Sequence, residues 1–92
     1  MYYILFYKTI KNYVEKRASY RAEHLRRAQE AYDHGDMVMA GALADPADGA
    51  ILIFKGESAA VAENFAKNDP YVRNGLIESW HVRPWTVVVG GQ

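Results

Sequence analysis

The sequence predicts one α+β domain with the element order β-α-β-β-α-β. Three observations predict it: apolar and aromatic runs of strand length, two longer stretches that carry helix-ending signals, and clusters of turn-forming residues between them. The 92 residues carry no net formal charge and 50% are hydrophobic, which suits a single unit over 1–92 and argues against disorder. A unit of this size hides only about 60–65% of its unfolded surface, so further burial through association is expected.

Residues 2–9, YYILFYKT, form the first strand. They are apolar on both alternating faces, Tyr3, Leu5 and Tyr7 against Tyr2, Ile4 and Phe6, so both faces call for cover. Asn12 followed by Glu15 offers a capping box and Gly35 a C-terminal cap, so one long helix is expected over most of 13–34. MVMAGALA, 37–44, and AILIFKG, 50–56, read as strands joined by the turn formers DPADG into an antiparallel hairpin. Ser58 is placed to cap a second helix, AAVAENFAKN, which must end near Asp69 because Pro70 disfavours helical geometry in the residue before it. Asn74-Gly75 marks a turn. A last strand is expected over 77–89, with Pro84 requiring a bulge or an edge position.

This order is that of the ferredoxin-like split βαβ fold, a four-stranded antiparallel sheet with both helices on one face. The other face would still be apolar, with Ile51, Leu52, Ile53 and Phe54 consecutive in the third strand. A second copy packed sheet to sheet is the simplest cover, and a homodimer is expected.

Several classes are disfavoured. There is no cysteine, hence no disulfide framework, thiolate nucleophile or cysteine metal site, and the cytoplasm is the expected compartment. The apolar N-terminal run is too short for a membrane span and lacks a basic leader. Lys16, Arg17, Arg21, Arg26 and Arg27 are interleaved with Glu15, Glu23 and Glu30, the pattern of a solvated helix face rather than a nucleic-acid footprint. His24, His34 and His81 lack close ligand spacing, so no metal is expected; His34 suits a helix C-terminus, where a cation is favoured.

One stretch breaks the pattern. At about 100° per residue, Val14, Ala18, Leu25 and Tyr32 define an apolar sector of the first helix, with Ala28 beside it. Arg21 falls inside that sector, and Arg17 and His24 lie on its flank in RASYRAEHL, so three polar groups address one small volume. Arginine stems lying on apolar surface and a hydrogen-bonded marginal histidine would account for this. A site would too: histidine exchanges protons near neutrality, and guanidinium groups hold phenolate, carboxylate or chloride. Two neighbouring cations disfavour a charged imidazole, so a catalytic His24 would need a carboxylate; Asp33, Asp36, Asp45, Asp48 and Asp69 are the candidates, and spacing does not choose among them.

EKRASYRAEHL at 15–25, GDMVMAGAL at 35–43, DPYVRNGL at 69–76 and VRPW at 82–85, in this order, resemble the YCII-related (YciI-like) proteins over almost the whole chain. The family commonly has proline where Ala42 stands here. The resemblance implies a ferredoxin-like dimeric α+β barrel similar to the muconolactone isomerase group, with a site built on a His-Asp pair, here His24 and Asp69. The activity assigned within the family is cofactor-independent elimination of HCl from a chlorinated hydroxyhydroquinone to give a hydroxybenzoquinone, a step of chloroaromatic degradation. On that pattern His24, oriented by Asp69, acts as general base toward a small aromatic substrate. Arg17 or Arg21 meets the developing anion, Tyr7, Tyr20, Tyr71 and Trp80 are ring-packing candidates, and Ser19 is a polar neighbour. Two other readings stay open at the sequence level: a non-catalytic dimeric module binding a small acidic aromatic, and a proton-transfer enzyme resembling muconolactone isomerase.

Overall fold

Strand β1 (Tyr2–Thr9) is the centre around which a computed structural model, describing residues 1–91, is organised. It pairs antiparallel with β3 (Gly49–Lys55) on one side and β4 (Ile77–Trp85) on the other, and β2 (Met37–Ala42) completes the order β2-β3-β1-β4. Between strands lie α1 (Tyr13–Lys16), a 3-10 turn over Arg17–Ser19, α2 (Arg21–His34), α3 (Ala60–Asn68) and α4 (Pro70–Arg73). The architecture is the expected ferredoxin-like α+β fold.

Alternation along β1 decides where the core sits. Tyr3, Leu5, Tyr7 and Thr9 are buried, and in register beside Tyr3 and Leu5 stand the buried Phe54 and Leu52. α3 lies over this face and contributes Ala62, Phe65 and Ala66; two alanines without exposure let its backbone approach the sheet closely. Tyr2, Ile4, Phe6, Ile51 and Ile53 point to the opposite face and are only partly covered. There the Phe6 ring stacks on His81 at 4.8 Å.

Pro84 sits in the edge strand β4, where a missing amide donor is tolerated; the ladder irregularity falls between Lys8 and Thr9 instead. Gly35 closes α2 in the left-handed region at φ 92, as its position after the helix foretold. Gly49 opens β3 for a steric reason: a Cβ there would come within 2.9 Å of the Tyr7 carbonyl oxygen.

Four expectations are corrected. The helix over 13–34 is broken: Asn12 adopts φ 62 and makes no side-chain cap, and a 3-10 turn closed by Tyr20 N–H donating to the Arg17 carbonyl separates α1 from α2. The inward sector is rotated from the expected one. Val14, Ala18, Leu25 and Tyr32 are exposed, whereas Tyr13 is buried and Tyr20, His24, Arg27, Ala28 and Ala31 are partly so. The physical reason is that small Ala28 and Ala31 let α2 approach the core while His24 finds a buried carboxylate, so its burial is compensated. Third, β2 stops at Ala42 and β4 at Trp85, since the last strand finds its ladder only along the length of β1. Fourth, α3 starts at Ala60, one residue later than expected, with the Ser58 hydroxyl accepting from the Ala60 amide at 3.3 Å.

Candidate active site

Asp69 is the residue about which the site is built. Pro70 forces it out of helical geometry, to φ −71 and ψ 125, so α3 ends at Asn68 and α4 begins at Pro70. Its side chain caps the new helix, Oδ1 accepting from the Tyr71 amide at 3.0 Å. The carboxylate has no solvent exposure. Two more donors complete its shell: the Tyr7 hydroxyl donates to Oδ2 at 2.6 Å from the buried face of β1, and His24 Nδ1 stands 2.8 Å from Oδ1. Three donors around a group with only lone pairs to offer are all satisfied at once when the carboxylate is ionised and Nδ1 carries the imidazole proton.

That assignment leaves Nε2 of His24 as the acceptor, with no partner among the described residues, on a side chain that lines a cleft between α2 and the β2–β3 hairpin. The imidazole lies flat on Tyr71, ring centres 3.8 Å apart and planes within 7°, and Phe65 meets it edge-on at 6.5 Å. Tyr13 in turn meets Tyr71 edge-on at 5.7 Å. The histidine is thus fixed by a hydrogen bond at one nitrogen and an aromatic face on one side. Burial, and then the negative charge of Asp69, push the Tyr7 phenol far above its ordinary range, so it remains a donor throughout the physiological range. Burial, followed by the nearby Tyr13, also raises Tyr71, while Arg21 and Arg17 oppose that rise.

The cleft has a volume of about 500 Å³. Of the residues that the sequence singled out, Arg17, Arg21, His24, Tyr7 and Tyr71 all line it. Asp69 lies behind them. Ser19 is exposed and outside the lining, and Tyr20 and Trp80 pack partly buried against the core instead. Arg17 is half-buried with its guanidinium 5.2 Å from the Tyr13 ring centre, and Arg21 is exposed at the rim rather than inside a buried sector. Tyr7 differs from its expected role as a ring-packing residue, because its hydroxyl is already committed to Asp69. A signal for this was legible: a tyrosine on the inward face of a central strand needs a polar partner. The β2 wall, Met37 to Ala42, had no such signal. Among the described residues no group of three or more His, Asp or Glu side chains gathers as a metal site, and no helix is long and apolar enough to cross a membrane.

The sequence profile of the YCII-related domain matches residues 1–86. The chain belongs to the YCII-related family. Protein YciI of Escherichia coli is 33% identical over 96% of this chain and 99% of its own length. An uncharacterised Haemophilus influenzae protein is 32% identical with the same coverage. Among solved structures, the YCII-related chain superimposes on a 5-chloro-2-hydroxyhydroquinone dehydrochlorinase from Burkholderia phenoliruptrix, in complex with 2,5-dihydroxybenzoquinone. The TM-score is 0.79 at 21% identity, over 94% of each chain. It also matches protein Atu4242 of Agrobacterium tumefaciens with a TM-score of 0.55 at 14% identity, over 90% of this chain and 89% of that one. At such identities the two structures share a fold with this chain.

Proposed function

We propose that this YCII-related protein is a small cofactor-independent lyase in which His24, held by Asp69, transfers protons to and from an aromatic substrate, the reaction being elimination of HCl from a chlorinated hydroxyhydroquinone. The observation that carries the reading is the bond from His24 Nδ1 to a fully buried carboxylate, which leaves Nε2 at the cleft as a base. The dehydrochlorinase with the same fold supports the choice of reaction.

In the proposed sequence Nε2 takes a proton from a ring hydroxyl and returns it to the ring carbon that bears chlorine, so that the oxygen's electron pair forms a carbonyl and the ring shifts to its keto tautomer. A second hydroxyl then gives up its proton, the ring electrons expel chloride, and a hydroxybenzoquinone remains. The substrate loses one H⁺ and one Cl⁻ in total, so no external oxidant or reductant enters the balance. Asp69 keeps the reactive nitrogen aimed and stabilises the imidazolium that forms. A guanidinium of Arg17 or Arg21, suitably placed on a developing oxyanion, contributes on the order of 2–4 kcal/mol to the barrier. The half-covered apolar sheet face, with Tyr2, Ile4 and Phe6, is proposed as the homodimer contact.

The test is release of chloride and hydroxybenzoquinone from a chlorinated hydroxyquinol. Wild type is expected to exceed the spontaneous rate, and folded His24→Ala and Asp69→Asn are each expected to fall by about a hundredfold or more. A folded wild type at the spontaneous rate, or an unchanged rate in His24→Ala, overturns the reading.

A further inference from the structure

The cleft holds more positive charge than the proton-transfer pair employs. Arg17 and Arg21 both line it, and among the described residues neither has a carboxylate within ion-pair distance. The acidic residues nearest on α2 are already engaged, Glu23 and Glu30 both on Arg26 at 2.6 and 2.7 Å. No Asp or Glu is among the side chains that line the cleft. Tyr71 lies flat against His24, 1% exposed, and among the described residues its buried hydroxyl makes no hydrogen bond of ordinary length, although the Arg21 guanidinium is near enough to lower its pKa. A buried hydroxyl left without a full hydrogen bond is disfavoured, and an arriving ligand oxygen supplies that bond.

The far end of the cleft is different in kind. Leu25, Tyr32 and Met39 line it while 47%, 56% and 61% exposed, with Ala28 and Met37 beneath them. Large apolar side chains left uncovered along a concave wall are a binding feature rather than a packing one. The volume, about 500 Å³, lies in the range that accommodates ligands well beyond one ring.

We infer that the cleft binds an amphiphilic carboxylate, its anionic group held by Arg17, Arg21 and the Tyr71 hydroxyl and its apolar body, larger than one ring, running between α2 and β2 to Tyr32 and Met39. This rests on the reading of the cleft as a ligand site and adds to the proposed substrate a second class of molecule that it binds: a ring acid with an apolar substituent, lying beside His24. A bare hydroxyquinol then fills only part of the space.

The test is calorimetric titration of the full chain with biphenylcarboxylate, biphenylcarboxamide and benzoate. The acid is expected to bind at least about tenfold more tightly than either the amide or benzoate. Arg17→Gln and Arg21→Gln should each weaken it about five- to tenfold, with Arg→Lys recovering part of the loss, and Tyr71→Phe about threefold. Leu25→Ala should weaken biphenylcarboxylate and leave benzoate unchanged. Equal affinity for acid and amide, unaltered binding in both arginine variants, or no heat from the acid at millimolar concentration overturns the assignment. Chloride release that depends on His24 without acid binding removes the subsite and leaves the proton-transfer reading, and the reverse pattern removes that reading and leaves the subsite.

Discussion

α2 and α3 lie on the same face of one sheet and are held there by different physics. α3, nine residues long, inserts Ala62, Phe65 and Ala66 fully into the core. α2, with fourteen, buries no residue completely and relies on half-covered alanines and on the bond from His24 to Asp69. A helix fixed by apolar packing closes the space beneath it. One fixed by a polar bridge at a single point leaves a cleft along the remainder, and the bridging residues face into it. The site exists where the packing is incomplete.

That contrast breaks or sharpens under substitution, and the largest effect belongs to the packed helix. Phe65→Ala removes a ring wedged against Phe54 and should cost about 3–5 kcal/mol in urea denaturation. Asp69→Ala should follow at about 3 kcal/mol, because it strands the Tyr7 hydroxyl, the Tyr71 amide and His24 Nδ1 together. If it costs less than a kilocalorie, the polar bridge is not what secures α2. Tyr7→Phe should cost about 1–2 kcal/mol by leaving Oδ2 without a donor, and it should also change the alkaline limb of stability. In the native state this phenol is held above its ordinary value of 10.0, so the unfolded chain releases the proton first. The contribution is complete below pH 10 and is lost as pH rises toward the native value; wild type should therefore lose stability above pH 10 more steeply than Tyr7→Phe. The smallest effect is expected of Leu25→Ala, under about 1 kcal/mol, since that side chain is already half exposed. Hydrogen exchange gives the same contrast without mutation: α2 amides should open more readily than those of α3.

Much of this division could be read in the sequence, and the unread part has one cause. β1 and β3 follow from their composition, and the ends of α2 and α3 follow from Gly35 and from Asp69-Pro70, because those signals are local. The inward face of α2 does not follow, because a count of apolar residues selects Val14, Leu25 and Tyr32, the very side chains that remain uncovered. Its true face carries His24 and Arg27, and burying an imidazole is favourable only through a partner forty-five positions away. Asp69 was one of five open carboxylates until family likeness singled it out. The Tyr7 bond to it spans sixty-two positions and joins a strand to a helix cap, a link that no periodicity encodes.

The stack of His24 on Tyr71 has a stereochemical consequence. An imidazole pressed flat on a phenol ring and tethered at Nδ1 cannot turn over, since rotation would break the tether and drive its edge into the aromatic face. On the proposed chemistry, a proton accepted at Nε2 leaves from Nε2. Any substrate carbon that receives it does so on the one ring face that meets Nε2; the distinction between faces vanishes when chloride leaves and the carbon becomes planar, so a reaction run in deuterated water should show deuterium on the carbon that carried chlorine.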